Sequence, residues 1–346
     1  MKTILLTWAT WYIGSHWAVS LLEKGYNVII VDNLSNSNEN SLEAIEKITW
    51  KTPVFYEIDL RNKEKLEKVF LENKIDSVIH FAWAKAVWES CVDPFYYYDN
   101  NIVWSLKLLE LMDEYGVKNI IFSSSATVYN PSGTPPFKEK DLTWDTTNPY
   151  WTTKFIIENI LRDLSIHKWF NVINLRYFNP VWAHCSGLIW EDPNDIPNNL
   201  LPYIMKVASW ELVQISVFWN DYDTHDWTWE RDYIHVVDLI EWHIKALNYI
   251  EINLPPIGGK YPKGDGGIYE EINLWTWKAT SVLEMINITE DIVWKKLNYK
   301  IDERRSWDLA SSYCNPSKAK SLLNWETKLS IKQAIQDSWR FINKND

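Results

Sequence analysis

The chain begins MKTILLTWATWYIGSHWAVSLLEKGYNVIIVDN, residues 1–33, and the order of residue types there decides the fold. Lys2–Thr7 is an apolar run of strand length. Ile13–Glu23 carries apolar residues at helical spacing, and Asn27–Val31 is a second apolar run that stops at Asp32. Strand, turn, helix and strand in so short a span form a βαβ unit. The turn Thr7–Gly14 lies where a glycine-rich phosphate loop belongs. Of its three glycine slots, Trp8 and Trp11 fill two, and Gly14 holds the third.

The pattern continues outward. Pro53–Ile58 ends at Asp59, Asp76–Phe81 runs into small residues, and Asn119–Phe122 ends at Ser123, Ser124 and Ser125. Helical segments, Lys63–Leu71 and Asn101–Tyr115 among them, lie between. Strands alternating with helices predict an α/β fold, a Rossmann-type doubly wound parallel sheet. Ligands of such sheets bind beyond the carboxyl ends of the strands. From about residue 180 proline and asparagine become frequent and the elements shorten, with a loop around Pro255–Gly267. The expected division is a nucleotide-binding domain over 1–180 and a smaller α/β substrate domain over 181–346. Its boundary is soft because strands can be shared.

Composition narrows the partners. The 346 residues carry a net charge of −11 with no basic run, which argues against nucleic acid. No apolar run approaches the roughly 20 residues of a membrane span. Cys91, Cys185 and Cys314 are far apart, which predicts no disulfide framework and no metal site. With no cleavable-signal pattern at the N-terminus, a cytoplasmic protein is expected. One count is abnormal: 23 Trp against 10 Gly. At about 7% glycine, roughly 24 would be usual, so the shortage of one matches the excess of the other.

Two features carry chemistry. Asp32, at the end of the second strand, can accept both hydroxyls of an adenosine ribose and repels a 2′-phosphate, which favours NAD over NADP. Tyr150 and Lys154 share a helix face at i, i+4. An ammonium beside a phenol lowers its pKa and suits it to act as a general base. The pair opens a helix shortly after Ser125, whose hydroxyl can bond the same substrate oxygen.

At this point the chain resembles the extended short-chain dehydrogenase/reductase family, in its nucleotide-sugar epimerase branch. The resemblance rests on TWATWYIGSH, VDNLSNS, VIHFAWAKAVWES, YYDNN, FSSSATVY, NPYWTTK, LRYFNPVWAH, EDPNDIPNNLLPYI, FWNDYDTHDWTWERDYIHVVDL and RRSWDLA, spread over nearly the whole chain. It implies an isomerase that interconverts UDP-galactose and UDP-glucose through a transient 4-keto sugar and bound NAD, and a homodimer formed through the helices at Asn101–Tyr115 and Tyr150–Leu161.

The resemblance also implies roles. NAD would lie over Tyr12, Ile13 and Gly14, with Asp32, Asn33 and Asn36 at the adenosine ribose and Asp59 and Leu60 at the adenine. Phe81, Ala82, Lys85 and Asn100 would line the central stretch, with Lys154 and Tyr177 at the nicotinamide end. The sugar would meet Ser125, Thr127 and Tyr150. Asn179, Asn199, Leu200, Phe218, Arg231, Tyr233, Arg305 and Asp308 would hold the UDP portion, the two arginines neutralising the diphosphate. Tyr150, helped by Ser125, would take the proton of the sugar 4-hydroxyl. Ser312 stands where narrower pockets carry tyrosine, which implies tolerance of N-acetylated UDP-hexosamines. Two rivals stay open: a nucleotide-sugar 4,6-dehydratase, disfavoured because Ser125 is followed by Ala126 and Thr127 rather than an acid–base pair, and an inactive NAD- or UDP-sugar-binding relative.

The family carries glycine at the positions of Trp8, Trp11, Trp83, Trp88, Trp151, Trp182, Trp219, Trp227, Trp229, Trp275, Trp277 and Trp307, whereas Trp325 and Trp339 read as ordinary tryptophans. UGA specifies tryptophan in some genetic codes and glycine in at least one other. A UGA codon at each of these positions is therefore expected.

Overall fold

The computed structural model describes residues 1–343 apart from 36, 38, 82, 83, 85, 178, 182, 191–196, 198, 255–265 and 305–309. The first half alternates as the sequence predicts: β1 (Thr3–Thr7), α1 (Tyr12–Glu23), β2 (Asn27–Asp32), α2 (Asn40–Thr49), β3 (Val54–Glu57), α3 (Lys63–Glu72) and β4 (Ser77–Phe81). Two short helices follow, α4 (Val87–Val92) and α5 (Pro94–Tyr98), then a wide helical turn at Asp99–Val103, α6 (Trp104–Glu114), β5 (Asn119–Ser125), α7 (Pro149–Lys168) and β6 (Asn171–Tyr177). The segment read as one helix over Asn101–Tyr115 thus begins as the wide turn.

Seven strands make a wholly parallel sheet in the order β10-β6-β5-β4-β1-β2-β3, where β10 is Tyr269–Asn273. Helices cover both faces of the central strands, so every residue of β4 and β6 is buried, the apolar majority together with polar residues such as Arg176. Thr7, Asp32, Phe81, Ser125 and Tyr177 are the last residues of β1, β2, β4, β5 and β6, so parallel pairing lines them along one edge. The strand order reverses between β1 and β4, the switch point where such sheets hold ligands.

The second half adds β7 (Asn179–Val181), α8 (Leu200–Ala208), β8 (Ile215–Phe218), β9 (Glu230–His235) and α9 (Val236–Asn253) before β10. After it come β11 (Ala279–Ser281), α10 (Val282–Val293), β12 (Tyr299–Asp302), β13 (Ser311–Ser312), α11 (Ser317–Leu323) and α12 (Ile331–Asn343). The strand β9 pairs with β11, β13 and β7, while β8 pairs with β12. A second core gathers Leu201, Ile204, Val217, Met285 and Ile335, apart from the core around the large sheet. The chain does not separate cleanly in space, since β10 returns to extend the large sheet beside β6 and α9 packs on α1.

Local chemistry sets the helix starts. Asn148 accepts the N–H of Trp151 at 3.0 Å, with Pro149 at the first helical position of α7. Ser281 and Glu284 form a reciprocal capping box on α10. Among the described residues no helix is long and apolar enough to cross a membrane, and no group of His, Cys, Asp and Glu could hold a metal ion.

Candidate active site

The site grows from the carboxyl edge of β5 and the first turns of α7. Tyr150, Lys154 and Glu158 fall at successive i, i+4 positions and so lie along one helix face. Lys154 is buried; its Nζ donates to the carbonyl oxygen of Ser123 at 2.5 Å and stands 5.9 Å from the centre of the Tyr150 ring. On its far side it lies 5.1 Å from the Phe122 ring. Burial pushes this ammonium down to about 7, opposed by the charge of Glu158. Burial also holds the Tyr150 phenol above its ordinary value. The sequence led us to expect a phenol lowered by its lysine. In the protein alone desolvation outweighs that pull, because it bears on both groups of the pair.

Ser125 closes β5. Its Oγ accepts the N–H and hydroxyl of Thr127 at 3.2 and 2.9 Å, which draws Thr127 to the same edge. In register with Ser125 on the neighbouring strand is Tyr177, whose hydroxyl bonds Ser123 Oγ. Four of the predicted residues, Ser125, Thr127, Lys154 and Tyr177, are therefore buried around one strand end, with Tyr150 partly exposed above them.

Residues to which the sequence assigned no role hold this arrangement. Asn101 donates to Ala84 O and to Thr153 Oγ1, each at 3.0 Å, and accepts Ala84 N–H at 3.1 Å, tying the segment after β4 to α7. Tyr97 meets the Tyr150 ring edge-on at 6.4 Å between centres, while its hydroxyl donates to Glu89 at 2.7 Å. Glu158 accepts Arg176 Nη2 at 2.6 Å and Nε at 2.9 Å, and Ser124 Oγ at 2.5 Å, a buried ion pair directly behind Lys154. Only an i+4 continuation of the Tyr–Lys spacing pointed at Glu158; Tyr97 and Asn101 are the first and last residues of the YYDNN segment, which carried the resemblance without announcing what either side chain does.

The other predicted positions lie along the same edge. Asp32 is buried and accepts Thr10 N–H at 3.1 Å, Leu34 N–H at 3.0 Å and Ser37 Oγ at 3.2 Å, which fixes the turn after β1. Gly14 is obligatory: a Cβ there would lie 2.2 Å from Ala9 Cα. Asn33 turns in on Ser35. The Asp59 carboxylate is gripped by Arg61, which overcomes burial and holds it below its ordinary range. Leu60 and Phe81 are buried, and Asn100 donates to Tyr96 O at 2.6 Å.

In the second half, β9 collects the candidates. Arg231 and Tyr233 alternate onto one face. Ser312 is in register with Arg231, and Asn179 with Tyr233. Asn179 Nδ2 is buried with no partner among the described residues. The Arg231 guanidinium lies over the Trp229 ring, 4.8 Å from its centre. Asn199 precedes α8, Leu200 packs on the second core, and Phe218 ends β8, half-buried. Asn36, Ala82, Lys85, Arg305 and Asp308 lie outside the described residues.

Comparison with known proteins places this geometry. The profile of the NAD dependent epimerase/dehydratase family matches residues 4–256. The chain is 47% identical to a UDP-glucose 4-epimerase of Bacillus subtilis over 344 residues, 99% of this chain and 97% of that protein. A crystal structure of UDP-glucose 4-epimerase from Bifidobacterium longum in complex with NAD+ and UDP superposes with a TM-score of 0.91 at 43% identity, covering 99% of each chain. One from Stenotrophomonas maltophila, with bound NAD and formylated UDP-arabinopyranose, superposes with a TM-score of 0.92 at 37% identity, covering 100% of this chain and 99% of that one.

Proposed function

The chain belongs to the NAD dependent epimerase/dehydratase family, and from that premise we propose that it is an NAD-dependent UDP-glucose 4-epimerase, an isomerase interconverting UDP-galactose and UDP-glucose. The observation that carries the reading is the meeting of Ser125, at the end of β5, with Tyr150 and Lys154 on the first turns of α7. That arrangement can hold and move one proton at a sugar hydroxyl. It stands in a chain whose likeness to epimerases is full-length rather than confined to one motif.

The ends of the site fit NAD. Asp32 offers a buried carboxylate at the end of β2, and Lys154 and Tyr177 converge at the far end of the same edge. The turn between them does not fit, since Trp8 and Trp11 put indoles where backbone should approach a pyrophosphate. When bound, NAD supplies the acceptor and donor of a hydride. The chain's own residues do the rest. Tyr150 accepts the proton of the sugar 4-hydroxyl, and the Ser125 hydroxyl bonds the same oxygen and orients it. Lys154, fixed to Ser123 O, puts positive charge beside the phenol when it is protonated and so favours the ionised phenol. Arg231 neutralises diphosphate charge, with Arg305 as its sequence-inferred companion. Tyr233, Asn179 and Ser312 face the UDP-sugar from the strands around β9.

The exposed apolar side chains Phe95, Val103 and Leu106, on α5, the wide turn and α6, support a homodimer through this surface. We place the protein in the cytoplasm, where nucleotide sugars are made. Full-length protein from its native host, given UDP-galactose, should produce UDP-glucose, and the reverse, converging on one mixture read by proton NMR. A folded, NAD-loaded protein that leaves both sugars unchanged would overturn the proposal.

A further inference from the structure

The misfit at the phosphate turn extends through the whole molecule. Tryptophan supplies 23 of the 346 residues, yet it supplies 8 of the 11 described non-glycine residues whose φ is positive. These are Trp8, Trp50, Trp169, Trp210, Trp219, Trp227, Trp277 and Trp294, with φ between 55° and 73°. The left-handed region crowds Cβ against the carbonyl and is routine only for glycine, with Asn and Asp as the tolerated exceptions. Two of the other three residues there are Asp145 and Asn324, which obey that rule.

Position agrees with conformation. Trp50, Trp169 and Trp294 each stand immediately after a helix, at the ends of α2, α7 and α10, and close it by donating their N–H to Glu46, Leu164 and Glu290 carbonyls. A left-handed residue closing a helix in this way is the commonest place for glycine. Trp50 and Trp294 are 89% and 93% exposed, so their rings gain nothing from packing.

A second class of tryptophan is wrong for another reason. Trp17 in α1 and Trp242 in α9 are buried, and neither indole N–H has an acceptor among the described residues. A buried indole ordinarily finds one. Trp325, read from sequence as ordinary, does so: it donates to Asp238 O at 3.4 Å. Trp8 is buried at the phosphate turn and stacks on the ring of Trp104, centres 4.8 Å apart. The backbone carrying this ring still has the geometry of a glycine turn, with φ 59° at position 8 and no room for a Cβ at Gly14.

We infer that the protein made in its native cell carries glycine at the eight left-handed tryptophan positions and at 17 and 242, four of the ten (8, 219, 227 and 277) being family-glycine positions and six (17, 50, 169, 210, 242 and 294) named by the backbone and the buried indoles. Together with the family glycine at position 11, the phosphate turn then has glycine in all three of its slots, at positions 8, 11 and 14, and is open to a pyrophosphate. A single codon with two meanings explains why glycines such as Gly14, Gly25 and Gly116 keep their identity.

The test is the mass of the tryptic peptide Thr3–Lys24, and of the peptides holding positions 50 and 294, in protein isolated from the native cell. Glycine masses at 8, 17, 50 and 294 are expected, from UGA codons. Tryptophan masses at 50 and 294 would overturn the inference. As a second readout, full-length chains carrying Trp11→Gly together with the ten inferred changes should copurify with about one NAD per chain, against none for the tryptophan form. Equal NAD retention by both would also overturn it. Glycine masses in a protein that does not epimerise UDP-galactose would instead sink the functional proposal and leave this inference standing.

Discussion

Replacing Lys154 by methionine should make the protein more stable and nearly inactive. The Lys154 ammonium is buried between the Phe122 and Tyr150 rings and donates a hydrogen bond to Ser123 O. Burial lowers its pKa from 10.5 to about 7. At 1.36 kcal/mol per unit, that shift is a cost of about 5 kcal/mol to folding when the lysine is charged in both states. The sign follows from proton counts. Between the two pKa values the unfolded chain holds the proton and the folded one does not, so stability rises with pH. The cost is absent above 10.5, grows as pH falls towards 7, and is complete below it. Methionine fills similar volume without charge but abandons the Ser123 carbonyl, which returns about 1–3 kcal/mol. The net gain expected for Lys154→Met is about 2–4 kcal/mol at pH 6, shrinking to nothing or reversing by pH 10. Urea unfolding at pH 6, 8 and 10 without added NAD measures it, beside turnover of UDP-galactose. A variant that is less stable at pH 6, or whose difference from the parent ignores pH, would refute the buried-charge argument.

Other residues make separate demands. Asp32→Ala leaves the Thr10 and Leu34 N–H groups without their acceptor and should cost about 1–3 kcal/mol in thermal unfolding, with weaker NAD retention. Glu158→Gln breaks the buried pair with Arg176 and should destabilise by about 3 kcal/mol, near the low end for such pairs because Arg176 also reaches Glu271 at 3.0 Å; adding Glu271→Gln should remove that support. Asn101→Leu cuts three hydrogen bonds, two to Ala84 after β4 and one to Thr153 on α7, and should lower kcat while leaving the KM for UDP-galactose within a few-fold. Ser312→Tyr should abolish any turnover of UDP-N-acetylglucosamine and spare UDP-galactose; equal loss of both would remove Ser312 from substrate selection.

The strands were legible because a parallel sheet covered on both faces needs unbroken apolar runs, and each run stops at the edge that bears chemistry. Asp32 and Ser125 stood out for that reason, and Tyr150 and Lys154 by their i, i+4 spacing on a helix. What the pattern hid was the support. Asn101 acts through hydrogen bonds to a residue 52 positions away, and Tyr97 through a ring contact, neither of which has a period. The phenol's raised pKa was hidden too, because spacing reports neighbours and not desolvation. The sequence set Trp325 apart from the tryptophans at family-glycine positions, but only backbone angles show that Trp50, Trp169, Trp210 and Trp294 also sit in left-handed conformations. At about 1–2 kcal/mol each, the eight would cost about as much as the 5–15 kcal/mol of a typical protein's whole stability.

The central claim is that Tyr150 moves the proton at the sugar 4-hydroxyl. The most direct test is the turnover number of Tyr150→Phe for UDP-galactose, expressed in the native host and shown by circular dichroism and NAD content to be folded and loaded. The account predicts a fall of about 10²–10⁴-fold with KM little changed. A turnover number within a few-fold of the parent would contradict it, and would move the proton transfer away from the end of β5.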